Sequence, residues 1–238
     1  MSELFSIQLQ NRQQLCREGV WLDLPTTTEQ VQAALRQIGI SSDNPQGLFI
    51  SGYFAEEEKR FAIPYNMVLA SNVDELNFLA SRLETLSTGE RAELNAALQA
   101  PQSELFSIGR ITDFPENVDY YVHLPDVHGP AQLGDYYLNR SGMVDMPEEW
   151  KGGIDTAQFG RYVAQQEQGV FTEYGYLVKS GDAWQKVHEG QPVPEEYRVL
   201  SFPAPEVLRD SAYIPPPVQP ETEPQKVIPI ILNGKDSV

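Results

Sequence analysis

Residues Asp113 to Glu149 read DFPENVDYYVHLPDVHGPAQLGDYYLNRSGMVDMPEE. The stretch holds eight carboxylates, Asp113, Glu116, Asp119, Asp126, Asp135, Asp145, Glu148 and Glu149, against one cation, Arg140. Charge runs of that density often stay disordered. Here Tyr120, Tyr121, Val122, Leu124, Leu133, Tyr136, Tyr137, Leu138 and Val144 are interleaved with the acids and supply apolar surface for folding. Val118 to Leu124 reads as a strand, Pro130 as the first residue of a helix running to Asn139, and Gly142 as its stop. Strand and helix within one acidic segment point to an α+β fold with a surface nearly free of cations.

Toward the N-terminus, Phe5, Ile7 and Leu9 alternate with polar residues and predict a first strand. Gly19 to Pro25 reads as a second strand, stopped by the proline. Thr26 with Glu29 reads as a capping box that opens a helix with Val31, Ala34, Leu35 and Ile38 on one face, ended by Gly39. Gly47 to Tyr53 reads as a third strand. Ser71 with Asp74 and Ser87 with Glu90 read as two further capping boxes. The first opens a helix with an apolar stripe of Leu76, Leu79, Leu83 and Leu86, the second one with Leu94, Ala97 and Leu98 inward. Asp74, Glu75, Glu84, Glu90 and Glu93 fall largely opposite those stripes, and Pro101 closes the helical section.

Toward the C-terminus, 103–112 reads as a connection and 155–167 as an amphipathic helix broken by Gly169. Val170 to Val178 and Ala183 to Val187 read as a hairpin around Ser180-Gly181-Asp182. Beyond Gly190 the composition changes. Eight of the 18 prolines lie between Pro203 and Pro229, which predicts an extended, largely polyproline tail, with Val227 to Leu232 as one possible edge strand. The predicted organisation is an N-terminal α+β domain (1–70), a helical domain (71–101), a C-terminal acidic α+β domain (102–190) and a Pro-rich extension (191–238).

Over its 238 residues the chain carries 34 acids and 17 bases, a net charge of −17. The middle section, 101–200, is the most acidic, with 16 acids against 7 bases. Such a field repels nucleic acid and membrane surfaces and attracts basic proteins or cations. One cysteine, Cys16, excludes an internal disulfide and fits a reducing cytoplasm. The N-terminus has no charged-then-apolar signal pattern, and no apolar run approaches the roughly 18 residues of a membrane span. The expectation is a cytoplasmic protein.

Catalytic signatures are sparse. There is no phosphate-binding glycine loop, no G-x-S-x-G, no H-E-x-x-H and no C-x-x-C. His123, Asp126 and His128 form one metal-like cluster. Pro125 and Gly129 in that loop and the lack of a fourth ligand nearby favour plain surface residues over zinc. Carboxylate pairs at glycosidase spacing carry no weight in a chain so rich in acids. Cys16 has no sequence hint of a histidine partner and reads as a half-buried structural thiol. The run Glu56-Glu57-Glu58-Lys59-Arg60 reads as a solvated turn, and the two Tyr-Tyr pairs as half core, half surface. The expectation is no catalysis, no cofactor and no metal.

What remains is the acidity itself. Carboxylates three or four residues apart on a helix lie about 5–6 Å apart, while duplex DNA carries one charge per about 1.7 Å of axis. Two chains would together carry a net charge of −34, roughly that of the phosphates of about 17 base pairs. Mimicry of DNA is physically possible; acidity for solubility alone is the competing explanation.

Five segments, in order, resemble the ArdA antirestriction proteins of mobile genetic elements. Gly19-Val20-Trp21-Leu22-Asp23-Leu24-Pro25 is similar to that family's early G-x-W strand. Phe49-Ile50-Ser51-Gly52-Tyr53 resembles its "aIxDYE" strand, with Gly52 and Phe54 where the acids usually stand. Asp74 to Ala80 resembles its "eLNxLA" helix, and Leu133-Gly134-Asp135-Tyr136-Tyr137 to Gly142 its tyrosine-pair segment. Ile154 to Arg161 resembles its "YIDYxAYGR" segment, with Tyr162 replacing an acid.

The resemblance, over about residues 5 to 178, implies an elongated multi-domain chain of small antiparallel sheets with packed helices and a helical middle section. It implies a homodimer that mimics bent DNA in the DNA-binding groove of type I restriction–modification enzymes, without binding nucleic acid or membranes itself. Leu133, Tyr136, Tyr137, Ile154, Phe159, Gly160 and Arg161 would then be mostly scaffold. The expected phosphate-mimicking acids are Asp74, Glu75, Glu84, Glu90, Glu93, Asp113, Glu116, Asp119, Asp126, Asp135, Asp145, Glu148, Glu149 and Asp155. Two alternatives stand beside this: an acidic module that inhibits another nucleic-acid-binding or defence protein, and a hydrolase using acidic residues or the His123/Asp126/His128 loop.

Overall fold

Period-two alternation sets the first sheet. The computed structural model describes residues 4–16, 18–41, 46–56 and 61–200. In β1 (Phe5–Asn11), Phe5, Ile7, Leu9 and Asn11 are buried and the residues between them are half-exposed. β1 is central, flanked by antiparallel β2 (Val20–Leu24) and β3 (Leu48–Phe54). Ile7 pairs with both Leu22 and Tyr53, so one face of the sheet is apolar. Between β2 and β3, α1 (Thr28–Gln37) adds Val31, Ala34 and Leu35 to the same core. It stops where Gly39 takes φ +71°, a left-handed conformation that favours glycine.

Two capping boxes sit one residue later than the sequence suggested. They are Thr27 with Gln30 and Asn72 with Glu75; Ser87 with Glu90 stands as read. The displaced residues are used elsewhere. The Thr26 N–H donates to Asn77 Oδ1 (2.7 Å), and Ser71 Oγ donates to Met67 O at the end of α2 (Tyr65–Leu69). Asp74 Oδ1 accepts from the N–H groups of Val199 and Leu200, both at 2.8 Å.

The helix α3 (Val73–Glu84) is buried more widely than its leucine stripe requires, with Asn77, Phe78 and Ala80 also inside. The cause is the returning chain at 184–200. The Phe78 ring lies 5.0 Å from that of His188 and 4.7 Å from that of Tyr197, and Asn77 Nδ2 donates to Tyr197 O (3.0 Å). Residues 191–200, read from composition as the start of an extension, thus include the buried Val199. α4 (Thr88–Gln99) buries Leu94, Asn95, Ala96 and Ala97. The connection read at 103–112 contains a short helix, α5 (Ile108–Thr112).

In the second sheet the expected strand 118–124 is half strand. Val118–Tyr120 forms a 3-10 turn, and β4 is Tyr121–Leu124. Asn117 enforces the turn, its Nδ2 donating to Asp113 O and Gln185 O. α6 (Pro130–Asp135) begins at the proline as expected, then widens into a π-helical turn, closed by Ser141 N–H donating to Tyr136 O. α7 (Glu148–Lys151) and α8 (Thr156–Glu167) follow. Gln168, with φ 56°, ends α8, rather than Gly169.

The expected hairpin is also corrected. Its strands are β5 (Val170–Thr172) and β6 (Gly175–Lys179), in sheet order β4-β6-β5, and the reversal is at Glu173-Tyr174. Ser180 bonds to Tyr120 O and ends β6, while Trp184 packs on Tyr120 (5.1 Å) and the Gln185 N–H donates to Asn117 Oδ1, so 183–187 is not a strand.

α6 and α8 meet backbone to backbone. A Cβ at Gly134 would overlap Thr156 O, and one at Gly160 would overlap Pro130 O. One core runs from Leu4 through the first sheet and α1 to α5, reaching Tyr120, Tyr121, Leu177 and Val199. A smaller one centres on Val127, Leu133, Ala164 and Tyr176. Backbone contacts divide the chain into Met1–Phe202 and Pro203–Val238, and every described residue lies in the first unit. The expected polyproline tail, the Val227 to Leu232 strand and the Glu57 to Arg60 part of the charged turn lie outside the described residues. Among the described residues, no helix is long and apolar enough to cross a membrane.

Candidate functional site

Fold position sorts the fourteen acids into three groups. Glu116, Asp119, Asp126, Asp145, Glu148, Glu149 and Asp155 are exposed. They sit on turns and short elements between α5 and the start of α8, where little core exists to draw a side chain inward. Glu116 forms an ion pair with Arg82, and Glu148 pairs with Lys151 at 2.6 Å. Asp155 also caps α8, Oδ1 accepting from the N–H groups of Ala157 (2.9 Å) and Gln158 (3.0 Å), so reversing its charge would also remove a helix cap.

The second group is half-buried: Asp74, Glu75, Glu84, Glu90, Glu93 and Asp135. Asp135 pairs with Arg140 at 3.1 Å. Glu75 and Glu90 close capping boxes, and the Ser87 side chain and N–H hold Glu90 below the usual carboxylate range. Asp74 is pushed up by burial, against the two N–H groups it accepts from. Glu93 differs most from a phosphate. Its Oε1 is buried with no hydrogen-bond partner, and burial with the nearby charges of Glu90 and Asp119 pushes its carboxyl up to about 8. At neutral pH Glu93 mainly carries a proton.

Asp113 is the third group by itself. Its side chain is fully buried. Oδ1 accepts from the His188 N–H (2.6 Å) and Oδ2 from that of Glu189 (3.2 Å). A charged acceptor of this kind contributes roughly 1.5–3 kcal/mol per bond to folding. It pins the returning chain and presents no charge to a partner. The sequence reading had placed it on the surface; its place next to the buried Phe114 is the signal that pointed the other way.

Sequence reasoning missed two anchors. Glu104 binds Lys179 (2.9 Å), Arg110 (3.3 Å) and the Tyr120 hydroxyl (3.3 Å), and the Lys179 bond leads the causes that hold its carboxyl low. Buried Arg110 also pairs with Glu189 (2.8 Å) and lies over the Phe106 and Trp184 rings. Glu167 accepts from the hydroxyls of Tyr137 (2.5 Å) and Tyr176 (3.0 Å). No spacing rule links these residues. Tyr120 and Tyr121 are buried, while Tyr136 and Tyr137 are half-exposed as read.

The metal-like trio does not converge. His123 Nε2 lies 2.7 Å from Tyr174 O, and Asp126 and His128 are exposed. Among the described residues, no group of three or more His, Cys, Asp or Glu is placed to hold a metal. Cys16 is exposed, not half-buried, at the turn after β1.

Comparison with known families gives one match. The family model described as antirestriction protein (ArdA) matches residues 16–178. That span runs from the turn after β1 to β6 and includes all fourteen acids. No curated protein matches the chain.

Proposed function

The chain belongs to the ArdA antirestriction protein family, and from that premise we propose that it inhibits type I restriction–modification enzymes by occupying their DNA-binding groove as a DNA mimic. The observation that carries this reading is the seven exposed acids between Glu116 and Asp155, held on ordered turns that lie within the family match. Fixed carboxylates on a scaffold present charge without the ordering cost of a flexible tail. The field of a chain with net charge −17 steers it toward a basic groove.

Inhibition of this kind needs no catalysis, only complementarity to a surface built for phosphates. A homodimer in the cytoplasm would double the charged surface. Exposed Met143 and Trp150, on a segment with little core of its own, are apolar surface that a second copy would cover. The test is competition. Purified protein is expected to displace duplex DNA from a type I enzyme, and the displacement should weaken steadily as salt rises. Absence of any complex with such enzymes at low salt sinks the proposal.

A further inference from the structure

Trp21 and Phe54 keep 50% and 58% of their surface exposed on the first sheet. Strand pairing puts them on one face. On β1, Gln8 lies opposite Trp21 and Gly52, and Ser6 lies opposite Asp23 and Phe54. Alternation turns Ser6 and Gln8 away from the core that Phe5, Ile7 and Leu9 fill. Trp21, Asp23 and Phe54 are therefore neighbours on the outer face, directly or diagonally across β1. The two rings meet edge to face, with centroids 6.4 Å apart. A Cβ at Gly52 would come within 3.0 Å of the indole Cη2 and 3.1 Å of Gln8 Cβ. The glycine thus makes the room in which the indole lies across β1.

Ser6 Oγ donates to Asp23 Oδ1 (2.6 Å), which holds the exposed carboxylate on this face. Among the described residues, Asp23 joins no ion pair, and no cation lies over the Trp21 or Phe54 ring. Farther along the same face a guanidinium already rests on a ring: Arg12 lies 5.3 Å over Phe49, the partner of Gln10. An exposed indole beside a held carboxylate is a receptor for a cation, and indole is the best ring for it. Arginine fits better than lysine, because a planar, weakly hydrated guanidinium stacks on a ring and bonds a carboxylate at once.

We propose that this face receives an arginine side chain of a basic protein partner, its guanidinium over the Trp21 indole and bonded to Asp23, its stem against Phe54. This rests on the reading of the chain as an inhibitor that enters a basic groove. It adds a discrete contact, outside the fourteen acids, to a surface of otherwise interchangeable charges.

The experiment titrates the full chain with tetra-arginine amide, using the uncharged tetra-citrulline amide as control, and follows the indole N–H resonances of the three tryptophans. Expected is a saturable shift at Trp21 in the millimolar range with the arginine peptide alone. Asp23→Asn keeps an acceptor for Ser6 and removes the charge. It should lose the Trp21 shift and leave the other two tryptophans responding as in the parent. Trp21→Ser and Phe54→Ser change no charge, so a purely distributed field predicts no effect from either. Each is expected to weaken competition with DNA for a type I enzyme by about fivefold. If Trp21→Ser does not fold, Phe54→Ser decides, since Phe54 is an exposed residue at the end of β3. No saturable shift at Trp21, an equal shift with the citrulline peptide, or Phe54→Ser competing as well as the parent overturns the site. A parent protein that binds the peptide at Trp21 but never competes with DNA overturns the function proposed above and leaves the site standing.

Discussion

At Glu93, burial and charge act in the same direction. The carboxyl loses water on α4 and faces the negative Glu90 and Asp119, with Oε1 left without a donor. Its folded value of about 8 lies above the ordinary glutamate value of 4.5, so the folded state holds the proton more tightly than the unfolded chain does. The resulting stability is fully present below 4.5 and is lost as pH rises through about 8. Glu93→Gln keeps the shape and removes the titration. Urea unfolding at pH 5 and pH 9 is expected to give the variant stability near that of the parent at the lower pH and above it at the higher. A variant that tracks the parent at both would show that Glu93 titrates normally. Charge alone misplaced this residue and Asp113. Residue type and helical phase suggest which side of an element an acid occupies, but a later segment decides whether it meets water. For Asp113 and Asp74 that segment is 188–200, more than 70 residues downstream.

The crossing of α6 and α8 depends on two glycines, because Cβ atoms at Gly134 and Gly160 would overlap carbonyl oxygens of the opposing segment. Gly160→Ala must push the backbones apart, and overpacking of this kind costs about 3 kcal/mol. The loss should appear as a lower urea midpoint. A variant within about 0.5 kcal/mol of the parent, the usual effect of a surface change, would show that the crossing gives way easily. Both glycines stand in segments that carried the family resemblance, so this contact was visible as pattern before its reason was visible. Elements with a clean period were equally legible: β1, β2, β3 and α8 sit where alternation or amphipathicity placed them. The misses share a cause. The 118–124 strand and the 183–187 strand were broken by Asn117 and Ser180, whose side chains bond to backbone distant in sequence, and no local period records such bonds. The position of the second hairpin was misread because Ser180-Gly181-Asp182 is a stronger turn signal than Glu173-Tyr174, although the glycine that serves the reversal is Gly175, with φ +119°.

Across the whole chain the function proposed is a sum, and a sum fails differently from a site. Asp119, Asp126, Asp145 and Glu149 are exposed, and none takes part in a hydrogen bond or ion pair among the described residues. Reversing them breaks no hydrogen bond or ion pair described above, and the one folding term touched is the like charge that Asp119 turns toward Glu93, which its reversal relieves. Each change to lysine alters the net charge by two, so all four take it from −17 to −9. One reversal, Asp126→Lys, removes a single surrogate among many in a screened, solvated setting, where a charge contributes at most about 1 kcal/mol. It should weaken competition with DNA by no more than about fivefold. All four together place cations against a groove built for phosphates, where like-charge contacts are costly, and the expected loss is about a thousandfold, with a shallower salt dependence. Circular dichroism should match the parent, and the unfolding midpoint should not fall below it, since Asp119→Lys relieves the like charge facing Glu93. If one reversal alone abolished inhibition, the partner would be reading a discrete site and not a distributed field. If the fourfold variant still inhibited at full strength, these acids would serve solubility, and the binding face would lie elsewhere on the molecule.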